Sequence, residues 1–237
     1  MLRFFPALFL MFGVHLVFSQ SLIGAWEAQM TDSAGQVLRN VVIITEGFQV
    51  ATTYDQKGNF IRTNGGKWTR SGNQITELVE FDSQDSTRVG KTITFAIELT
   101  DKTLQANGVT WTRIDDGTPG ALQGAWLISG RKRNSEISKR STDRPRKTMK
   151  ILSGTRFQWI AYNTATRDFL ATGGGTYSTR KGRYTEQIEF FSRDNSRVGD
   201  SLDFDFELID GDWHHSGQSS QGDPLYEIWS PREDAMK

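Results

Sequence analysis

From residue 21 onward, apolar and polar positions alternate with a period of two over many short stretches. Ile75, Glu77, Val79 and Phe81 fall on one face of a segment and Thr76, Leu78 and Glu80 on the other; Ile93, Phe95, Ile97 and Leu99 stand likewise against Thr92, Thr94, Ala96 and Glu98. Further along, Leu202, Phe204, Phe206 and Leu208 oppose Asp203, Asp205 and Glu207. Such alternation marks half-buried strands, with the apolar face turned to a core and the charged face to water. No stretch beyond residue 20 has a convincing helical period, and 131–150 is too polar for one. The first half of the chain predicts about eight short strands, near 23–29, 37–45, 47–53, 59–63, 74–81, 91–99, 103–106 and 109–113. Lys57-Gly58-Asn59 and Ser71-Gly72-Asn73 carry hairpin-like turn signals. Antiparallel strands in sequence order with one apolar face close naturally into an up-and-down barrel, which leaves no exposed edge. The all-β alternative is a pair of small sandwiches.

The pattern is written twice. Thr76-Glu77-Leu78-Val79-Glu80-Phe81 returns as Thr185-Glu186-Gln187-Ile188-Glu189-Phe190, and Ser86-Thr87-Arg88-Val89-Gly90 as Asn195-Ser196-Arg197-Val198-Gly199. The same offset, taken without a gap, carries Phe48 onto Phe157, Phe60 onto Phe169 and Phe95 onto Phe204. Asp115 to Gly120 is turn-rich, with no apolar anchor, and reads as the link between copies. The expected organisation is a first barrel over 20–115, a linker at 116–120 and a second barrel over 121–237, with a basic insertion at 131–150. Gly173-Gly174-Gly175, where the first copy has Asn64-Gly65-Gly66, reads as a bulge or tight bend.

Residues 1–19 carry Arg3, an apolar run and then a polar turn at Ser19 and Gln20, the order of a secretory signal peptide, with a retained anchor as the alternative. The chain has no cysteine, which removes disulfides, thiolate metal sites and thiol nucleophiles. An exported chain without bridges points to a secreted or periplasmic bacterial protein, with no membrane span after the signal is removed. Its 28 basic residues balance 28 acidic ones, so it does not read as a nucleic-acid binder. Arg131, Lys132, Arg133, Lys139, Arg140, Arg144, Arg146, Lys147 and Lys150 nevertheless crowd one stretch, expected to be a solvated loop over the barrel mouth or a docking patch for an anionic partner.

Each copy opens with Gly-Ala-Trp, at Gly24-Ala25-Trp26 and Gly124-Ala125-Trp126. This resembles the first-strand motif of lipocalins and the wider calycin group, in which an arginine near the last strand lies across the tryptophan. Trp111-Thr112-Arg113 offers Arg113 for that role beside Trp26; in the second copy Trp229 is followed by Ser-Pro-Arg, so Arg232 is displaced and Trp126 lacks an evident partner. The resemblance implies tandem small lipocalin-like barrels with a tendency to bind small molecules, and implies no reaction.

The inward positions of Glu77 and Glu186 are the most informative chemistry. A buried carboxylate needs a partner or a proton, so each is either an internal strut held by an arginine or tyrosine, or a ligand or catalytic group. The common offset aligns Leu104, Gln105 and Ala106 with Trp213, His214 and His215, turning Trp213 and His215 inward and His214 outward. It also sets Tyr184 for Ile75, Tyr177 for Trp68 and Trp159 for Val50. Trp159, Tyr177, Tyr184, Glu186, Trp213 and His215 then form an aromatic second lumen suited to a small amphipathic or sugar-like ligand, with the first barrel mainly structural. Two other readings stand beside non-catalytic binding. One is an interaction module with filled barrels; the other is a hydrolase or isomerase using Glu186 and His215 as an acid-base pair. No cofactor fingerprint is present, and adjacent His214 and His215 on opposite faces argue against a histidine metal site; Asp194, Asn195, Ser196, Asp203 and Asp205 supply oxygens without the spacing of a calcium loop.

Overall fold

The structure is a computed structural model that describes residues 20–133, 136–219 and 222–233; the expected signal peptide lies outside these described residues. Strands β1 (Gly24–Thr31), β2 (Val37–Thr45), β3 (Phe48–Asp55), β4 (Phe60–Ser71), β5 (Gln74–Asp82), β6 (Thr92–Leu99), β7 (Thr103–Ala106) and β8 (Val109–Asp115) follow one another antiparallel, and β8 returns to pair with β1. The second copy contributes β9 (Gly124–Arg133), β10 (Glu136–Lys139), β11 (Arg146–Leu152), β12 (Arg156–Asn163), β13 (Asp168–Arg180), β14 (Arg183–Phe191), β15 (Ser201–Ile209), β16 (Asp212–Gln218) and β17 (Pro224–Pro231). Its ring closes by β17 pairing with β9, while β10 pairs only with the far end of β9 and stands outside the ring. The chain is thus two closed eight-stranded antiparallel barrels in tandem, as the period-two alternation predicts.

Three local departures from the expected pattern set everything that follows. First, β4 runs on to Ser71 because its glycines carry a bulge inside the strand instead of ending it. Gly65 faces Phe81 and Gly66 faces Val79, which leaves Glu80 as the extra residue. A Cβ on Gly66 would run into the Leu78 carbonyl. The second copy repeats this, with Gly174 facing Phe190, Gly175 facing Ile188 and Glu189 left over. Beyond the bulge Phe81 does not share the lumenal face of Val79; it packs on Tyr162 of the other barrel, ring centroids 4.9 Å apart.

Second, the offset between copies is one residue shorter in β2 and β3 than in β4 to β7, because the turn joining Tyr54 to its partner Phe60 is one residue shorter than that joining Tyr162 to Phe169. A one-residue shift moves every side chain of a strand to the other face. Phe157 therefore takes the place of Gln49, and Trp159 that of Ala51 instead of Val50. Phe48 faces outward into the cluster between the barrels, and Phe157 faces into the second lumen.

Third, 131–150 is not a loop. Its start extends β9 into a hairpin with exposed β10, and its end is β11, part of the barrel wall, where Lys150 is buried. Arg131 pairs with Glu227 at 3.1 Å, and Lys147 Nζ donates to the Thr142 carbonyl at 3.0 Å.

The outer faces of β2 and β3 meet those of β11 and β12, so these strands are apolar on both sides. Val41, Val50, Tyr54, Met149, Ile160 and Tyr162 belong to the shared cluster. Within it each bulged glutamate is held across the interface. Arg232 grips Glu80 with two bonds of 2.7 and 2.9 Å, and the Tyr162 hydroxyl donates to Glu80 at 2.6 Å. Reciprocally, Glu189 accepts from the Tyr54 hydroxyl at 2.7 Å, from Arg39 at 3.0 Å and from Arg156 of its own barrel at 2.6 Å. The Arg232 guanidinium also lies 4.1 Å from the Phe48 ring centroid. Where β8 ends and the linker begins, the chain is tied to the second barrel: the Asp115 carboxylate accepts from Ser153 Oγ at 2.8 Å and from Thr155 Oγ1 at 2.6 Å.

Removing one partner of a fully buried ion pair leaves the other charge without compensation, at a cost of roughly 3–5 kcal/mol. Arg232→Met is expected to lower stability by that amount in urea unfolding followed by tryptophan fluorescence, and the double variant with Glu80→Leu to recover most of it. A loss within about 1 kcal/mol, the usual worth of an exposed pair, would contradict a buried clamp.

Candidate functional site

The floor of the first barrel is built on Trp26, whose Nε1 donates to the Leu22 carbonyl at 2.9 Å. The Arg113 guanidinium lies 4.0 Å from its ring centroid and donates to the carbonyls of Ile23 at 2.9 Å, Ser21 at 2.6 Å and Asp101 at 2.8 Å. One charged group thereby covers an indole face and closes the open backbone of the entry segment. Trp126 makes the matching bond to Leu122 at 2.9 Å, but Pro231 stands opposite it where Arg113 stands opposite Trp26. The displaced Arg232 has left the floor for the interface clamp.

In the second barrel Glu186 and His215 both point into the lumen. Glu186 Oε1 receives Lys150 Nζ at 2.8 Å and the Tyr184 hydroxyl at 2.8 Å. Lys150 Nζ sits among four aromatic rings, with Trp213 at 5.0 Å, Tyr184 at 5.1 Å, Trp229 at 5.3 Å and Phe204 at 6.0 Å from their centroids. An ammonium inside a barrel is tolerable only with such compensation, a carboxylate on one side and π faces on the others. This lysine escaped sequence reasoning because it was counted with the basic insertion. The signal was present: in the strand Thr148-Met149-Lys150-Ile151-Leu152 it breaks an apolar run.

His215 is stacked on Trp213 at 5.3 Å between centroids and meets Phe204 edge-on at 4.1 Å. Neither of its ring nitrogens has a hydrogen-bond partner among the described residues, nor does Nε1 of Trp229. The carboxylate that approaches it is Glu227, at 4.0 Å from Nδ1. No hydrogen bond joins it to Glu186. Burial, reinforced by the charge of Lys150, holds the imidazole well below its ordinary pKa, so the ring is neutral. His214 turns the other way, as the alternation requires, with Nδ1 2.7 Å from the Tyr226 hydroxyl.

These side chains surround a cavity of about 300 Å³ whose wall includes Trp159, Glu186, His215, Lys150, Glu227 and Trp229. Of the expected contact residues, Trp159, Glu186 and His215 reach it. Tyr177, Tyr184 and Trp213 do not; they are buried in the lower half of the barrel, where Trp213 meets Trp126 edge-on at 5.9 Å and the Tyr177 hydroxyl bonds the Ser153 carbonyl. Tyr184 and Trp213 add bulk there because they stand where the first copy has Ile75 and Leu104, while Tyr177 stands in the place of Trp68. Leu208, expected inward, is exposed near the end of β15.

The first barrel, too, is hollow. It encloses a cavity of about 310 Å³ lined by Val42, Gln49, Ala51, Glu77, Phe95 and Trp111, among others. Gln49 Nε2 donates to Glu77 Oε1 at 2.6 Å; burial raises the carboxyl above its ordinary pKa, and the Gln49 bond offsets only part of that. The strut at Glu77 is thus an amide, neither an arginine nor a tyrosine. Among the described residues no cluster of three His, Asp or Glu side chains is arranged to hold a metal, and Asp194 is used in its own turn, accepting from the Ser196 amide at 3.0 Å.

Fold and lumens together define the class of molecule as a tandem of closed antiparallel barrels, each with an internal cavity and an inward glutamate at the equivalent position. No protein-family model matches the sequence, and no curated protein gives a significant match. No helix among the described residues is long and apolar enough to cross a membrane.

The lowered pKa of His215 makes stability pH-dependent with a definite sign. The unfolded chain takes up the proton near pH about 6.5, the folded ring only at lower pH. Its contribution is therefore present above about pH 6.5 and is lost as the pH falls through and below that value. Between about pH 7.5 and 5.5 the melting temperature of the wild type should fall further than that of His215→Gln. Equal falls would place a solvated, titrating imidazole at this position.

Proposed function

We propose that this chain is an exported, lipocalin-like binding protein that takes a small amphipathic or sugar-like ligand into the second barrel without catalysing a reaction on it. The observation that carries this reading is His215, a buried ring facing a cavity with both nitrogens unpartnered. A buried polar group left without a hydrogen bond costs roughly 1–3 kcal/mol, which a ligand hydroxyl or carbonyl in the cavity would recover. Around it stand a half-buried indole, Trp159, braced edge-on by Phe191 at 5.4 Å, the Trp229 N–H, and the Lys150–Glu186 pair. Flat apolar faces with a few fixed polar groups suit a ring or short chain that carries hydroxyls. Binding is favoured over catalysis because Glu186 is committed to Lys150 and Tyr184 and is not bonded to the imidazole it would have to orient. Export rests on the order of residues 1–19, and the lipocalin-like assignment on the Trp26–Arg113 stack within a closed barrel.

A thermal-shift screen of mono- and disaccharides and short-chain amphiphiles tests this proposal. A true ligand should raise the melting temperature of the wild type, and its affinity should drop about tenfold or more, the equivalent of one lost polar anchor, in Trp159→Ala and in Glu186→Gln. A ligand that stabilises all three proteins equally is bound elsewhere and would refute the site.

A further inference from the structure

The two lumens differ by a substitution that works as a built-in comparison. Glu77 and Glu186 occupy equivalent positions, opposite Trp68 and Tyr177. Opposite the first-strand tryptophan, however, the first barrel has Val42 where the second has Lys150, and these pair in turn with Ala51 and Trp159. The first barrel thus keeps the inward carboxylate and omits the ammonium that satisfies it. We propose that the first barrel is a second binding site, for a small alkyl or arylalkyl primary amine whose ammonium pairs with Glu77 in the place that Lys150 Nζ holds in the second barrel.

Four observations support this. Three bulky second-barrel residues have smaller counterparts here: Ile75 for Tyr184, Leu104 for Trp213 and Ala51 for Trp159. Two of the four rings around Lys150 are retained in kind, Phe95 for Phe204 and Trp111 for Trp229, so aromatic faces for a cation remain. Glu77 is bonded through Oε1 to Gln49, and Oε2 accepts from no described residue. Finally, Asn40 and Trp111 belong to the wall of the same cavity, and Asn40 Oδ1 and Trp111 Nε1 are buried without hydrogen-bond partners, one an acceptor and the other a donor. The other charged groups in the wall are Arg62 and Arg88. Arg88 pairs with Asp82 at 2.6 Å and Arg62 Nε bonds Thr53 Oγ1 at 3.3 Å; the charges of Arg88 and Asp82 act on Glu77 in opposite senses, and neither arginine donates a hydrogen bond to it.

The test is calorimetric titration of the whole protein near neutral pH with phenethylamine, phenethyl alcohol and phenylacetate, which share a ring and differ in the head group. The amine should bind at least about tenfold tighter than the alcohol, the worth of one desolvated ion pair over a neutral bond, and the acid more weakly than either. Val42→Lys places the ammonium on the chain itself, as in the second barrel; it should fold with unreduced melting temperature and no longer bind the amine. Glu77→Gln should weaken the amine about tenfold or more, and Trp159→Ala, in the other lumen, should leave it unchanged. Amine affinity should also fall as the pH drops through the titration of Glu77, since the amine stays protonated throughout. Equal binding of amine and alcohol, no binding of the amine, or amine binding that survives Val42→Lys would each overturn the proposal. None of these outcomes depends on whether the second barrel has a ligand.

Discussion

The exchange of glutamates between the barrels is the constraint on which the rest of the molecule depends. Glu80 and Glu189 are each pushed out of register by a bulge, and each is caught by a tyrosine and an arginine of the other barrel. Both positions lie between apolar strand faces, where an unpaired carboxylate would be costly. The barrels are therefore locked at one orientation, and the outer faces of β2, β3, β11 and β12 can be as apolar as their lumenal faces. The bulge glycines are part of the same device, because a side chain at Gly66 or Gly175 would strike the facing carbonyl and prevent the glutamate from being extruded.

With the outside fixed in this way, the two copies have diverged on the inside. The second lumen has gained bulk and polarity together, so that Tyr184, Trp213 and Phe157 fill its floor while Lys150, Glu186 and His215 stand in the wall of the cavity above. In the first, Glu77 is held by the Gln49 amide, in a wall that also carries Asn40, Arg62 and Arg88. A single inherited glutamate thus sits in two electrostatic settings, one closed by the chain's own ammonium and one open.

The strands and their closure were legible in the sequence because alternation with a period of two survives wherever one face is buried. The Trp26–Arg113 stack was expected only from the resemblance of Gly24-Ala25-Trp26 to the lipocalin first-strand motif. What could not be read came from shifts of one residue. The shorter turn before Phe60 reverses the faces of β2 and β3 relative to their counterparts, and an ungapped offset therefore assigned Phe157 to Phe48 and Trp159 to Val50. The bulges likewise turned Phe81 and Phe190 outward, where strict alternation held them in. Lys150 was hidden by its charged neighbours, and Arg232 was read as displaced from the barrel floor without its partner, Glu80 of the other barrel, being visible. Tyr177, Tyr184 and Trp213 were correctly placed on the inward face, but alternation carries no information about depth, and depth decides which inward residue touches a cavity.

The reciprocal clamp has one more consequence. A face that carries both a tyrosine and a glutamate, each complementary to the other on a second copy, is self-complementary in the manner of a two-fold dimer interface. Joining the copies by the few residues between β8 and β9 turns that association into an intramolecular event, with an effective concentration set by the tether and not by how much protein is present. The tandem would therefore keep its two lumens in fixed proximity even at extreme dilution, a condition under which a pair of free single barrels would drift apart.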